Sequence, residues 1–125
     1  MEKAKKLKIL IADDSAKMRR LIIEEVTHHV AGIDRVYECE SGEQAVQLCK
    51  RYHPDWILLD IKMEPLDGLA AARMIKSNDP GARIILVTNY DEEGSREEAR
   101  KITVEAYVLK ENLHKLIEII QPINS

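Results

Sequence analysis

The sequence predicts an α/β fold in which a parallel sheet of five strands is covered by helices on both faces. Five short apolar runs recur along the chain, and each is followed by a segment with helical spacing or helical propensity. Strands that alternate with helices favour parallel pairing, because a parallel connection needs a crossover. Most of the runs are apolar throughout, which is typical of strands buried on both faces. The predicted strands are residues 7–12, 35–39, 56–60, 83–88 and 105–110.

Length and charge narrow the class of protein. A chain of 125 residues without a linker-like segment predicts one domain. The net charge of −3 argues against a nucleic-acid-binding surface, and no apolar run approaches the ~18 residues of a membrane span. The basic N-terminus precedes a short apolar run that leads into acids, so we expect no signal peptide and a cytoplasmic location. Cys39 and Cys49 are expected to be reduced thiols.

The first predicted helix has Ser15 as its cap and carries an apolar stripe as far as Val30, before Gly32. His28 and His29 fall in its last turns, where positive charge is favourable. Because adjacent helical side chains point apart, we do not predict a metal there.

Capping and turn residues bound the next two helices. Ser41 and Gln44 have the form of a capping box at the start of the second helix, which stops near Pro54. The third follows residues 65–68 and ends in the turn of residues 78–81.

The fourth helical segment, residues 91–101, has only Ala99 as an apolar residue, so we expect it to be loosely held. Ser95 and Glu98 form a second capping-box pattern, which predicts that the helix begins at Ser95. The last helix is expected to end at Pro122, and its apolar stripe consists of Leu113, Leu116, Ile117 and Ile120.

Reactive side chains gather at the carboxyl ends of four predicted strands, where open α/β sheets bind their ligands. These residues are Asp13, Asp14, Asp60, Thr88 and Lys110. Neighbouring carboxylates repel each other unless a cation lies among them, and carboxylates are ligands that Mg²⁺ prefers. Lysine and threonine suit phosphoryl oxygens, and an aspartate can take a phosphoryl group as an acyl phosphate.

Over residues 8–121 the chain resembles the receiver domain of bacterial two-component response regulators, of the chemotaxis-regulator type. The residues that carry the resemblance are Asp13, Asp14, Asp60, Met63, Asp67, Gly68, Leu69, Thr88, Tyr107 and Lys110. The resemblance implies that residues 1–125 are a single receiver domain. It also implies a flavodoxin-like, doubly wound (βα)5 fold with strand order 2-1-3-4-5.

The resemblance implies a metal-dependent phosphoacceptor. Asp60 would accept a phosphoryl group from a sensor histidine kinase or a phosphotransfer protein. Mg²⁺ would be the cofactor, with Asp14 as a direct ligand, Asp13 a ligand through water, and Asp60 and the backbone carbonyl of Lys62 completing the protein ligands.

The resemblance also implies a switch. Lys110 would pair with the phosphorylated side chain, and Thr88 would bond a phosphoryl oxygen and draw Tyr107 inward. The segment 91–101 would then shift and alter a face for a downstream protein target or a phosphorylation-dependent homodimer. Such a domain assists its own phosphotransfer and dephosphorylation but is not a conventional enzyme. The sequence leaves open whether it acts alone or within a longer regulator.

The chain departs from the receiver pattern at a few positions. Glu111 replaces the usual proline after the lysine, so we expect a trans peptide bond there. Asn89 replaces a small residue, and Glu64 displaces a proline to Pro65. Thr103 replaces a glycine that usually ends the fourth helix, so we expect a different ending.

Two other readings remain open at the level of sequence. One is an interaction module of the same fold that is never phosphorylated. The other is an aspartate-nucleophile phosphatase or a flavodoxin-like binder. The phosphatase would need an acid at the position of Lys62, and no glycine-rich phosphate loop follows the first strand.

Overall fold

The computed structural model describes residues 4–120 and 123–124. Its central sheet has five parallel strands, which are β1 Leu7–Ala12, β2 Ile33–Cys39, β3 Trp56–Leu59, β4 Ile84–Thr88 and β5 Ala106–Leu109. The spatial order is β2-β1-β3-β4-β5, which confirms the predicted doubly wound fold and its 2-1-3-4-5 order. β2 starts earlier than predicted, and β3 ends at Leu59, so that Asp60 lies in the following loop.

Helices cover both faces of the sheet. They are α1 Ala16–His29, α2 Gly42–Tyr52, α3 Gly68–Asn78, α4 Glu93–Ile102 and α5 Lys115–Ile119. Alternate side chains of β1 enter different apolar clusters, with Leu10 on the side of α2 and α3 and Ile9 on the side of α1 and α5. None of the described helices has the length and apolar character needed to cross a membrane.

The predicted helix caps are mostly confirmed. The Ser15 hydroxyl accepts from the Met18 amide at 3.2 Å, and the Ser41 hydroxyl accepts from the Gln44 amide at 3.2 Å. The Gln44 side chain reaches back one residue further than a capping box requires and accepts from the Glu40 amide at 3.0 Å. Each of these bonds satisfies a backbone donor at or beside a helix start.

The histidines and cysteines also behave as expected. His28 and His29 lie in the last turn of α1. Cys39 and Cys49 are free and buried. Burial raises the pKa of Cys39 to about 11 and that of Cys49 to about 12, so both thiols stay protonated at neutral pH.

The predicted start of α4 at Ser95 is wrong. The helix begins at Glu93, with Glu92 as a cap residue that makes no side-chain capping bond. Glu98, the expected partner of Ser95, instead accepts from Arg73 on α3 at 2.6 Å. Ile102 joins Ala99 as a buried apolar residue, so α4 has one more anchor than the segment 91–101 suggests.

The expectation that Thr103 would end α4 differently from a glycine is also wrong. Thr103 adopts the left-handed conformation with φ 65° and ψ 45°, and its amide bonds back to the last turn of the helix. This is the conformation that a glycine cap supplies without steric cost, so a β-branched residue is strained there.

The C-terminal region is less helical than predicted. A 3₁₀ turn, Lys110–Asn112, precedes the short α5, in which Leu116 is buried, and Ile120 is buried just beyond it. The predicted stop at Pro122 lies outside the described residues. A short antiparallel pair that the sequence analysis missed joins Ala4–Lys5 to Ile123–Asn124.

Gly68, the first residue of α3, packs directly on the loop that carries Asp60. A Cβ atom on Gly68 would lie 2.0 Å from the Asp60 carbonyl oxygen. Only glycine therefore allows this close approach of the two backbones. The Gly68 amide donates to the Ile61 carbonyl at 2.9 Å, which fixes the loop after β3.

We predict that Gly68→Ala destabilises the fold by about 1–3 kcal/mol, because the backbone contact with Asp60 must open. Gly94→Ala is the matched control, since nothing lies within 4 Å of its Cβ position in α4. Alanine there should stabilise the helix by roughly 0.5–1 kcal/mol. Urea unfolding of both variants measures the difference, and equal stability of the two would contradict the close approach.

Candidate functional site

The parallel sheet brings the predicted site residues to one edge. Asp13 follows β1, Asp60 follows β3, Thr88 ends β4 and Lys110 follows β5. Two backbone hydrogen bonds continue the strand pairing into this edge. The Asp60 amide donates to the Ala12 carbonyl at 2.9 Å, and the Asp13 amide donates to the Cys39 carbonyl at 3.1 Å. The acids are thus placed by the sheet itself.

Three carboxylates form a close cluster at this edge. Oxygen atoms of Asp13, Asp14 and Asp60 all lie within 4.8 Å of one another. Asp13 is 1% exposed and Asp60 is 4% exposed, whereas Asp14 faces solvent. Two of the three carboxylates are therefore shielded from water. Like charges repel each other more strongly in the protein interior than in water.

Lys110 supplies the opposing charge. Its ammonium lies 2.8 Å from Asp13 Oδ2 and 3.2 Å from Asp60 Oδ2. Burial disfavours the charged lysine, but the contact with Asp13 and the charge of Asp60 outweigh it and raise the pKa of Lys110. Lys110 is therefore fully protonated at neutral pH.

The surroundings of Asp60 disfavour the ionised form of its carboxyl group. Burial raises the pKa of Asp60, Lys110 opposes that rise, and the Asp13 charge adds to it. The backbone amide of Lys62 favours the ionised form to a smaller extent. The net upward direction means that the ionised carboxylate gains from any further positive charge at this edge.

The donor set fits Mg²⁺. Carboxylate oxygens that keep room for water are its usual protein ligands. Asp13 Oδ2 is buried, and apart from its ionic contact with Lys110 no donor among the described residues is aligned for a hydrogen bond to it. Beside the acids, a cleft of about 580 Å³ is lined by Asp14, Lys62, Met63, Glu64, Pro65 and Asp67. The residues present can hold the ion and its waters.

Thr88 and Tyr107 are connected through Tyr90. Thr88 is fully buried, and its hydroxyl oxygen accepts from the Tyr90 amide at 3.3 Å. The Tyr107 hydroxyl donates to the Tyr90 carbonyl at 2.7 Å. The Tyr107 ring also lies under the Arg96 guanidinium of α4, 4.4 Å from its centroid. Tyr90 therefore bonds to both Thr88 and Tyr107, and the Tyr107 ring packs against α4.

Two residues at the site were missed in the sequence analysis. Tyr90 has no motif of its own, and only its spacing of two residues after Thr88 could have indicated it. Arg19 donates to the Asp13 carbonyl at 2.6 Å from the first turns of α1. Its place shortly after the two acids could have suggested such a contact.

The departures from the receiver pattern leave the edge intact. The bond between Lys110 and Glu111 is trans as expected, and the one cis bond within residues 4–120 joins Glu64 to Pro65. Asn89 is exposed at the end of β4, next to Tyr90.

Comparison with known proteins agrees with this geometry. Residues 9–121 match the response regulator receiver domain model. The chain is 36% identical over 102 residues to the chemotaxis protein CheY of Halobacterium salinarum, covering 82% of each chain. It is 32% identical over 104 residues to the response regulator protein VraR of Staphylococcus saprophyticus, covering 83% of this chain and 49% of VraR.

A solved structure shows the same fold. The DNA-binding response regulator of the LuxR family from Staphylococcus aureus superposes with a TM-score of 0.83 at 28% identity. The match covers 90% of this chain and 94% of that chain. The matched residues include Asp13, Asp14, Asp60 and Lys110, which form the acidic edge of the sheet. The matched model spans most of the chain, and the chain therefore belongs to the response regulator receiver domain family.

Proposed function

We propose that this chain is a phosphorylation-activated signalling receiver in which Asp60 accepts a phosphoryl group from a histidine kinase or a phosphotransfer protein. The observation that carries the proposal is the position of Asp60, buried beside the carboxylates of Asp13 and Asp14 and in contact with the Lys110 ammonium. A nucleophilic carboxylate with a positive charge beside it and acids that can hold a metal ion is what phosphoryl transfer requires of a protein.

The proposed transfer is a displacement at phosphorus. An Asp60 carboxylate oxygen attacks the phosphorus of a phosphohistidine, the P–N bond breaks, and the leaving imidazole keeps the electron pair and takes a proton from solvent. Lys110 neutralises a phosphoryl oxygen, and the exposed cleft beside Asp14 gives the donor access. The chain thus assists its own phosphorylation and hydrolysis without being a conventional enzyme.

Asp13, Asp14, Asp60 and the backbone carbonyl of Lys62 are the proposed Mg²⁺ ligands. When bound, the ion offsets the negative charge that develops on the phosphoryl oxygens. The Lys110 ammonium lies against Asp13 and Asp60, while Asp14 adds a third carboxylate to the cluster, so the residues at this edge leave room for a further positive charge.

The proposed switch uses the bonds of Tyr90. The Thr88 hydroxyl accepts from Tyr90, which leaves its own proton to donate to a phosphoryl oxygen on Asp60. A shift of Thr88 then pulls the Tyr90 backbone, to which Tyr107 is bonded, and Tyr107 is packed against Arg96 of α4. The surface of α4, β5 and α5 would change for a downstream protein target or a second phosphorylated copy. A cytoplasmic location stays a prediction.

We predict that the chain gains one phosphoryl group when it is incubated with Mg²⁺ and acetyl phosphate, measured by intact mass. Asp60→Asn should gain none, and Lys110→Met should react about a hundredfold more slowly, because it loses a charge partner of the transition state. Asp79→Asn is the matched control, since this exposed acid lies in the turn before β4 and asparagine can accept the same bond from the Gly81 amide. No adduct with acetyl phosphate or a cognate kinase would favour the unphosphorylated interaction module.

We predict that Asp60→Asn raises the Tm of the metal-free protein at neutral pH. The folded-state pKa of Asp60 is raised, so the folded state binds protons more readily, and stability falls as pH rises through that pKa. The gain should disappear below the ordinary Asp pKa of about 3.9. Calorimetry across pH measures it. Mg²⁺ should raise the Tm of the wild type more than that of the variant, by mass action. If the Tm of Asp60→Asn is lower than that of the wild type at neutral pH, the ionised Asp60 does not destabilise the folded state and the prediction is wrong.

We predict that Tyr107→Phe is phosphorylated normally but transmits the change poorly. It loses the bond to the Tyr90 carbonyl, worth about 1 kcal/mol, and keeps the ring under Arg96. Hydrogen exchange of residues 91–101 should then change much less on phosphorylation than in the wild type. Tyr52→Phe, whose ring stacks on Tyr37, is the control. An unaltered exchange response in Tyr107→Phe would rule out this path.

A further inference from the structure

Arg19 connects α1 to the acidic edge. It lies in the first turns of α1, and its Nη1 donates to the Asp13 carbonyl at 2.6 Å. Its Nε donates to Glu38 Oε1 of β2 at 2.9 Å. The Arg19 side chain is 16% exposed, while Glu38 is about half exposed. The planar guanidinium therefore joins the end of β1 to the end of β2 through two separate bonds.

The bond to the Asp13 carbonyl completes the anchoring of that residue. The Asp13 amide donates to Cys39, and Oδ1 accepts from the Ser15 amide at 2.8 Å. Oδ2 contacts the Lys110 ammonium. Arg19 donates to the carbonyl, which is the remaining polar group of Asp13.

The same bond reaches Asp14 through the peptide plane. The Asp13 carbonyl and the Asp14 amide belong to one planar peptide unit, so fixing the carbonyl direction also fixes the plane from which Asp14 departs. Asp14 is the exposed member of the acidic cluster. An exposed side chain is less constrained by packing, so the direction of its backbone has more influence on where its carboxylate lies.

We propose that Arg19 is a positioning residue for divalent-cation binding, because it holds the Asp13 carbonyl and thereby directs the Asp14 carboxylate into the acidic cluster. The inference rests on the Mg²⁺ site of the proposed function. Arg19 touches neither the ion nor the phosphoryl group in this role. It resembles the outer partners that orient the ligands of other metal sites.

A role of Arg19 through its charge and a role through its backbone contact predict opposite changes in Mg²⁺ affinity when Arg19 is replaced. A guanidinium near the edge repels a cation, although Glu38 at 2.9 Å offsets that charge. If Arg19 acted through its charge, its removal would tighten Mg²⁺ binding. If it acts by holding the backbone, its removal weakens binding. The sign of the change therefore decides between them.

The test compares Mg²⁺ affinity in Arg19→Met, Arg19→Lys and Arg20→Met by isothermal titration calorimetry on the full chain. Arg20 is the matched control, because it is the next residue of α1 and is exposed. We expect the Kd for Mg²⁺ to rise about tenfold in Arg19→Met. Arg19→Lys should show a similar rise, since an ammonium keeps the charge but lacks the fork that makes both bonds. Arg20→Met should stay within about twofold of the wild type, as an exposed charge is screened.

A second readout separates positioning from general loss of structure. The Mg²⁺ concentration that half-saturates phosphorylation by acetyl phosphate should rise in Arg19→Met, while the rate at saturating Mg²⁺ stays near the wild-type rate. A general loss of structure would lower the saturated rate as well, and that result overturns the proposal. If Arg19→Met fails to fold, Arg19→Lys carries the same comparison.

Unchanged or tighter Mg²⁺ binding in both Arg19 variants also overturns the proposal. A wild-type chain that binds no Mg²⁺ would instead overturn the metal site of the proposed function, and this inference with it. The two failures are distinguishable because the first leaves wild-type binding intact.

Discussion

The contact of the Lys110 ammonium with Asp13 and Asp60 is the interaction on which this edge of the molecule depends. Two buried carboxylates within a few ångströms of each other would otherwise protonate or move apart. One lysine reduces the repulsion without removing it, since its ammonium contacts Asp13 and Asp60 and the cluster holds a third acid, Asp14. The remaining excess of negative charge suits the edge to a divalent cation.

Backbone geometry holds this unfavourable arrangement in place. Strand pairing extends past β1 and β3 to the amides of Asp13 and Asp60. Gly68 brings the start of α3 against the Asp60 carbonyl, where a side chain would not fit. Arg19 of α1 donates a hydrogen bond to the Asp13 carbonyl. The stability needed for these contacts comes from the two apolar clusters on either face of the sheet, whose strands β3 and β4 are buried throughout.

The fold and the reacting acids could be predicted because they follow from local pattern. Apolar runs, cap residues and acids at strand ends are visible in the order of residues, and parallel pairing brings the strand ends together. The contact of Tyr90 with both Thr88 and Tyr107 was missed because it uses the Tyr90 backbone, which carries no signal in residue type beyond its spacing from Thr88. The start of α4 was mistaken because Glu98 pairs with Arg73 of another helix, which a local capping pattern does not reveal. Thr103 was mistaken because the rest of the fold holds it in a conformation that its own side chain disfavours.

The pairing of Ala4–Lys5 with Ile123–Asn124 makes the backbone nearly circular. β1 starts at the amino edge of the parallel sheet, and the acidic cluster lies at the opposite, carboxyl edge. A short peptide could therefore join the paired ends, and new ends could be opened in an exposed turn such as residues 79–81, in the manner of circular permutation. In the native arrangement, a dye or an affinity tag attached next to Ala4 or Asn124 would lie at the amino edge of the sheet, away from the acidic cluster.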